Sequence, residues 1–276
     1  MLGVGRVLFA VSIAAFGVEN LIWARRGDEV TRMIPWLPEL PLLVYLVGIA
    51  FLATGVCLAM NFRARTAAIL LSALFLISEV FLQLPRAVEQ PLDLSLRTVV
   101  FEVFTLCASA LLLAATLPGN DGFLGRWKDA RKRSILAGRW LMAVSSLVFG
   151  ISHFLIPDYI ASLIPAWIPG PGLFWAYFTG AGFAAAGLSF ATGWMARWAG
   201  ILLGAMFLLW FLLLHLPRVF SYPKSQDPAE WSSAFIALGI CGGSWIAAVA
   251  LPDKPLAREA ADEAYPTGTR DSSAAL

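Results

Sequence analysis

Eight stretches of about 20 apolar residues divide the chain, near 5–24, 39–60, 65–85, 98–117, 138–156, 172–193, 197–217 and 232–251. About 20 such residues is what a helix needs to cross the hydrocarbon core of a bilayer. Strands are excluded, because the runs are too long and lack period-two alternation. Of 276 residues, 14% are charged and 59% hydrophobic, against about 25% and 45–50% in soluble domains. Those fractions exclude a disordered chain, a collagen and a disulfide-stapled module. A net charge of +2 calls for no polyanion, so no nucleic-acid partner is expected. The predicted class is an all-α integral membrane protein with eight transmembrane helices and the lipid bilayer as its surroundings.

Lys and Arg set the expected orientation. With both termini cytoplasmic, 13 of the 20 basic residues fall on the inner side and 7 on the outer. The run from Arg126 to Arg139 dominates that bias. The expectation is N-in and C-in, as in a bacterial inner membrane, with loops 1–2, 3–4, 5–6 and 7–8 outside. Arg6 ahead of an apolar run also resembles a signal peptide, but the internal duplication argues against removal.

The chain repeats itself. Over residues 5–20, 8 of 16 positions are identical to 138–153, including Gly5-Arg6, Ser12 and Phe16-Gly17 against Gly138-Arg139, Ser145 and Phe149-Gly150. Ile34-Pro35-Trp36-Leu37-Pro38 matches Ile164-Pro165-Ala166-Trp167-Ile168-Pro169 with one insertion. Tyr45, Gly48, Phe51 and Gly55 match Tyr177, Gly180, Phe183 and Gly187, and Leu84-Pro85-Arg86 matches Leu216-Pro217-Arg218. Four spans per unit is an even number, so both units enter from the same side. The expected architecture is two parallel-repeat four-helix bundles, at 1–118 and 138–252. A basic cytoplasmic linker at 119–137 joins them, and a disordered cytoplasmic tail at 253–276 follows. Gly48, Ala53 and Gly55, and Gly180, Ala184 and Gly187, would let helices approach closely.

The pattern resembles the DoxX-like family of four-helix membrane proteins. The residues that carry the resemblance are Gly-Arg at the first span, Phe149-Gly150-Ile151-Ser152-His153-Phe154 and the Ile-Pro-Ala-Trp-Ile-Pro loop. Phe174-Trp175-Ala176-Tyr177 and His215-Leu216-Pro217-Arg218, followed by Glu230-Trp231, complete it. The likeness covers nearly all of 138–251. The first half follows more loosely, with Asn20 in place of His153 and Gln83 in place of His215. The resemblance implies a four-span bundle per unit. Some members are similar to small subunits of thiosulfate:quinone oxidoreductases, and many have no assigned activity.

Ionisable residues inside a bilayer cost roughly 2.5–3.5 kcal/mol each on insertion scales and face a bundle interior or a wet cavity. Here they are Glu19, Glu79 and Glu102 in the first half, and His153 and His215, the only two histidines, in the second. Glu79 lies roughly 10 Å along its helix from Arg86, and His215 roughly 5 Å from Arg218, at 1.5 Å per residue. All five therefore sit toward the outer end, as a layer and not as a path across the membrane. On α-helical spacing Glu79, Gln83 and Arg86 share one face of span three, as do Phe211, His215 and Arg218 on span seven. Ser12 and Glu19 share a face of span one, and Ser145 and Ser152 of span five.

The expectation is one polar pocket per bundle, opening outward under the Pro-Trp loop. His153, His215, Arg218 and Glu230 line the second, and Glu19, Glu79, Gln83, Arg86 and Glu102 the first. Three readings stand for the histidines. They are hydrogen-bonded structural groups, or partners for a quinone or similar hydrophobic ligand, or two ligands of a haem iron. No His-x-x-His or Cys-x-x-Cys-His spacing supports the third. For Glu79 and Arg86 the plain alternative is an internal ion pair that needs snorkelling. Trp36, Trp167, Trp175 and Trp231 fit an interfacial aromatic belt. Cys57, Cys107 and Cys241 lie within spans without a CxxC and read as small apolar residues. No Walker, GxGxxG, HExxH or GxSxG motif stands in a supporting context.

Three function classes follow. The leading one is a quinone- or small-hydrophobic-ligand-binding accessory subunit of a membrane oxidoreductase system, beside a soluble or membrane redox partner. The others are a membrane transporter with its site between the repeats, and a purely structural membrane subunit.

Overall fold

A computed structural model describes residues 1–23, 41–118, 127–221 and 228–253. The loop with Trp36 and the tail beyond residue 253 lie outside the described residues. Those described are helical, with no strand among them. The helices are α1 (Leu2–Trp23), α2 (Pro41–Ala59), α3 (Ala64–Ser78), α4 (Leu84–Glu89), α5 (Leu94–Thr116) and α6 (Trp127–Leu155). They continue with α7 (Pro157–Leu163), α8 (Gly172–Thr192), α9 (Ala196–Trp210), α10 (Leu216–Ser221) and α11 (Pro228–Ala250). A π-turn at Glu79–Gln83 joins α3 to α4, and another at Phe211–His215 joins α9 to α10. Among the described residues eight helical runs are long and apolar enough to cross a membrane, which makes this an all-α, multi-pass membrane protein.

Helix boundaries differ from the sequence reading in one instructive place. Helix α6 begins at Trp127, so most of the linker expected at 119–137 is its first turns. Arg131 explains part of this. Its Nε donates to the Ala115 carbonyl at 2.9 Å, satisfying an orphan acceptor in the last turn of α5. Arg139, the last of the basic run and the second residue of the expected span 138–156, is almost wholly buried.

The packing order follows a ring. Helix α1 packs on α2, α2 on α3, α3 on α5, α5 on α6, α6 on α8, α8 on α9, α9 on α11, and α11 back on α1. The ring is pinched where α5 meets α11. These two helices are the interior of the molecule. Each buries 72% of its span, against 28–44% for the other six. The expected pair of bundles, one per half of the sequence, is therefore crossed by the packing. The fourth span of each half lies against the first span of the other.

Small residues make those crossings possible. A Cβ on Gly17 would lie 2.5 Å from the Leu52 amide and 2.7 Å from the Gly48 carbonyl. One on Gly150 would lie 3.0 Å from both the Ala184 amide and the Gly180 carbonyl. Gly242 does the same for α11 against α1, facing the Gly5 carbonyl and the Phe9 amide. In lipid no hydrophobic gain drives helices together, so such backbone-to-backbone approach carries the association. Ala53, by contrast, is exposed.

The short connections also match. The α2–α3 turn places Asn61 (φ 56°) and Arg63 (φ 44°) in the left-handed region, and the α8–α9 turn places Gly193 (φ 79°) and Met195 (φ 54°) there.

Candidate functional site

Glu79, Gln83 and His215 lie in the two π-turns, Arg86 and Arg218 follow in the short helices after them, and Glu19 lies apart on α1. Leu84 N–H bonds to the Glu79 carbonyl, and Leu216 N–H to the Phe211 carbonyl, each five residues back. The cause is in the sequence. Pro85 and Pro217 follow directly, and a proline inside a helix lacks an N–H and clashes with the carbonyl four residues back. A wider turn relieves that clash, and turns of this kind recur at functional sites.

The π-turn changes which residues share a face. Its extra residue rotates everything beyond by roughly 100°, one residue's worth of an α-helix. Glu79 and Gln83 are buried, at 0% and 3% exposure, whereas Arg86 is exposed. The expected shared face of Glu79, Gln83 and Arg86 thus holds for the first two only. The alternative Glu79–Arg86 ion pair is not formed.

In the first half, Glu79 has no hydrogen-bond partner on either carboxyl oxygen among the described residues. Ser78 Oγ beside it is equally buried and unpartnered. Cys107 on α5 donates its thiol to the Ser72 carbonyl at 3.5 Å. Glu19 accepts a hydrogen bond from Ser232 Oγ at 2.8 Å. Asn20 Nδ2 donates to the Phe16 carbonyl at 2.9 Å. Gln83 and Glu102 are engaged by neighbouring groups.

In the second half, His153 is 5% exposed and its Nδ1 lies 2.8 Å from the Phe149 carbonyl. Trp210 stacks on its ring at 5.8 Å and 21°, and Phe183 lies 5.1 Å away. Phe183, Phe207 and Trp210 contact one another at 5.5–5.8 Å. The result is an imidazole set in an aromatic wall. Its Nε2 is buried and without a hydrogen-bond partner among the described residues. His215 is half-buried at the end of its π-turn and engaged by a neighbour. Arg218 donates to Glu230 Oε1 at 3.1 Å, across α10 and α11.

The structure therefore brings together Arg218 with Glu230, and Glu19 with a residue the sequence reading did not single out, Ser232. It also adds Trp210, Phe183 and Phe207 around His153. Trp210 carried a legible signal. It stands where the first half has Ser78, an indole in place of a hydroxymethyl group. Ser12 Oγ donates to the Phe235 carbonyl at 2.6 Å, a second tie from α1 to α11.

The aromatic belt residues divide. Trp167 is exposed, Trp175 Nε1 donates to the Pro169 carbonyl at 2.8 Å, and Trp231 stacks on Phe235 at 5.9 Å. Trp175 thus holds the Ile164–Pro169 loop over the start of α8. The three cysteines are free thiols. No group of three or more His, Cys, Asp or Glu that could hold a metal occurs among the described residues. Compared with known proteins, the chain matches no family model, no curated protein and no solved structure.

Proposed function

We propose that the chain is a DoxX-like membrane protein built by tandem duplication, serving as a quinone- or small-hydrophobic-ligand-binding accessory subunit of a membrane oxidoreductase system. Its place is the bacterial inner membrane, with both termini cytoplasmic and a soluble or membrane redox partner at the outer face. The duplication is supported by features that recur 132 residues apart: the π-turns at Glu79 and Phe211, and the left-handed residues at Asn61 and Gly193.

One observation carries the ligand reading. His153 presents a buried, unpartnered Nε2 from within a wall of Phe183, Phe207 and Trp210. An unmet buried polar atom costs about 1–3 kcal/mol, so a protein keeps one where a ligand completes it. Flat rings around a single polar atom suit an aromatic ligand that is itself mostly apolar. A lipid-soluble quinone, aromatic in its quinol form, is flat and mostly apolar and partitions into the bilayer that surrounds the protein. Haem is the lesser alternative, since no His-x-x-His or Cys-x-x-Cys-His spacing supports it.

The test is binding of short-chain members of the quinone/quinol couple, each offered separately, to the full-length protein in lipid nanodiscs. Affinity for the tighter-binding member should fall in His153→Ala and in His215→Ala. Binding unchanged in both variants overturns the site.

A further inference from the structure

The hydrogen bond of His153 fixes where its ring proton sits. A carbonyl oxygen only accepts, so the 2.8 Å contact with the Phe149 carbonyl requires a proton on Nδ1. In the neutral imidazole the other nitrogen is then a bare acceptor. Nε2 is therefore a lone pair, buried, with no donor facing it among the described residues. A ligand that completes this atom must bring a hydrogen-bond donor.

A quinone cannot do so, because its two carbonyl oxygens only accept. Set against Nε2, a carbonyl would place one lone pair against another inside a low-dielectric wall. A quinol carries the same ring and two phenolic O–H donors. We infer that this site takes the reduced, hydroxyaromatic form of its ligand, with one phenolic O–H donating to His153 Nε2. The inference rests on the hydrophobic-ligand reading of the site and specifies which redox form is held.

The first half supplies an internal comparison. Asn20 stands in the place of His153 and makes the same bond four residues back, from Nδ2 to the Phe16 carbonyl at 2.9 Å. Phe16, Phe51 and Phe75 stand in the places of Phe149, Phe183 and Phe207, with ring contacts of 6.4 and 5.6 Å. The local helix bond and the phenyl floor are thus common to both halves. The ring nitrogen and the Trp210 indole belong to the second alone, so the donor-seeking atom is an addition to a shared frame.

That comparison also provides the control. His153→Asn keeps the bond to the Phe149 carbonyl, as Asn20 does in its own helix, but ends short of the Nε2 position. His153→Leu removes both. The experiment titrates full-length protein in nanodiscs with a short-chain quinol, its quinone and its bis-O-methyl ether, reading quenching of tryptophan fluorescence. Wild type should bind the quinol at least tenfold more tightly than the quinone or the ether. His153→Asn should fold as wild type and bind all three alike. Equal binding of the three by wild type overturns the donor requirement while leaving the ligand reading standing. No binding of any overturns both. A Soret band in the purified protein, placing iron on Nε2, also overturns it.

Discussion

Ser232 on α11 donates a 2.8 Å hydrogen bond to Glu19 on α1, joining residues 213 positions apart. The last span is thereby tied to the first by a buried side-chain hydrogen bond. Two residues earlier on α11, Glu230 pairs with Arg218 of α10. Residues two apart on a helix point to nearly opposite sides, so the start of α11 serves both halves of the molecule.

Removing that tie should be measurable but not fatal. Interhelical hydrogen bonds in bilayers average about 0.6 kcal/mol, with a maximum near 1.7. Ser232→Ala should therefore cost about 1 kcal/mol, since it also leaves the second Glu19 oxygen unmet. Glu19→Leu combined with Ser232→Ala should cost less than the two single changes together. Reversible unfolding in mixed micelles reads both.

Close crossings should be sensitive to a single methyl group. Gly17→Ala puts a carbon 2.5 Å from the Leu52 amide, and overpacking of this kind costs about 1–3 kcal/mol. Gly182→Ala meets only Met206 Sδ at 3.9 Å and should be neutral or slightly stabilising, as alanine is the better helix former. Melting temperatures of the two variants should fall on opposite sides of, or unequally from, wild type.

The spans were readable because long apolar runs report the bilayer directly, whatever packs against them. The ionisable residues within spans were readable for the same reason: Glu19, Glu79, Glu102, His153 and His215 stand out against apolar neighbours. Which faces they share was not. Face assignment assumed 3.6 residues per turn throughout, and the turns before Pro85 and Pro217 are wider, which sends Arg86 outward. Partners across helices, such as Ser232 for Glu19, depend on the packing order. Hydropathy cannot give that order, and the crossing of halves at α11 and α5 changed it.

The proline accounts for the π-turn, so Pro217→Ala should release it. With an N–H restored, Phe211–His215 can close as α-helix, turning Arg218 by roughly 100° away from Glu230. In a background without the native cysteines, Arg218→Cys and Glu230→Cys should cross-link readily with a short bifunctional reagent. The added Pro217→Ala change should lower that yield several-fold.

The Arg218–Glu230 pair is partly exposed, at 35% and 24%. Such pairs contribute about 0–1 kcal/mol and weaken with salt. Arg218→Ala should therefore shift stability by less than about 1 kcal/mol, and less still at high ionic strength. Exchanging the two residues should restore most of it.

Orientation is accessible to labelling. Trp167→Cys, in the exposed loop under Trp175, should react with an impermeant maleimide added to intact cells. Arg63→Cys, in the α2–α3 turn, should react only after the membrane is opened. The reverse pattern contradicts the N-in, C-in arrangement.

The central claim is that His153 holds an aromatic, lipid-soluble ligand. An absorbance spectrum of the purified protein, followed by solvent extraction and mass analysis, tests it most directly. The account predicts a quinol, recovered as such or as the quinone formed from it by air oxidation, near one per chain in wild type and depleted in His153→Leu. A Soret band, or the same extract from both proteins, would contradict it.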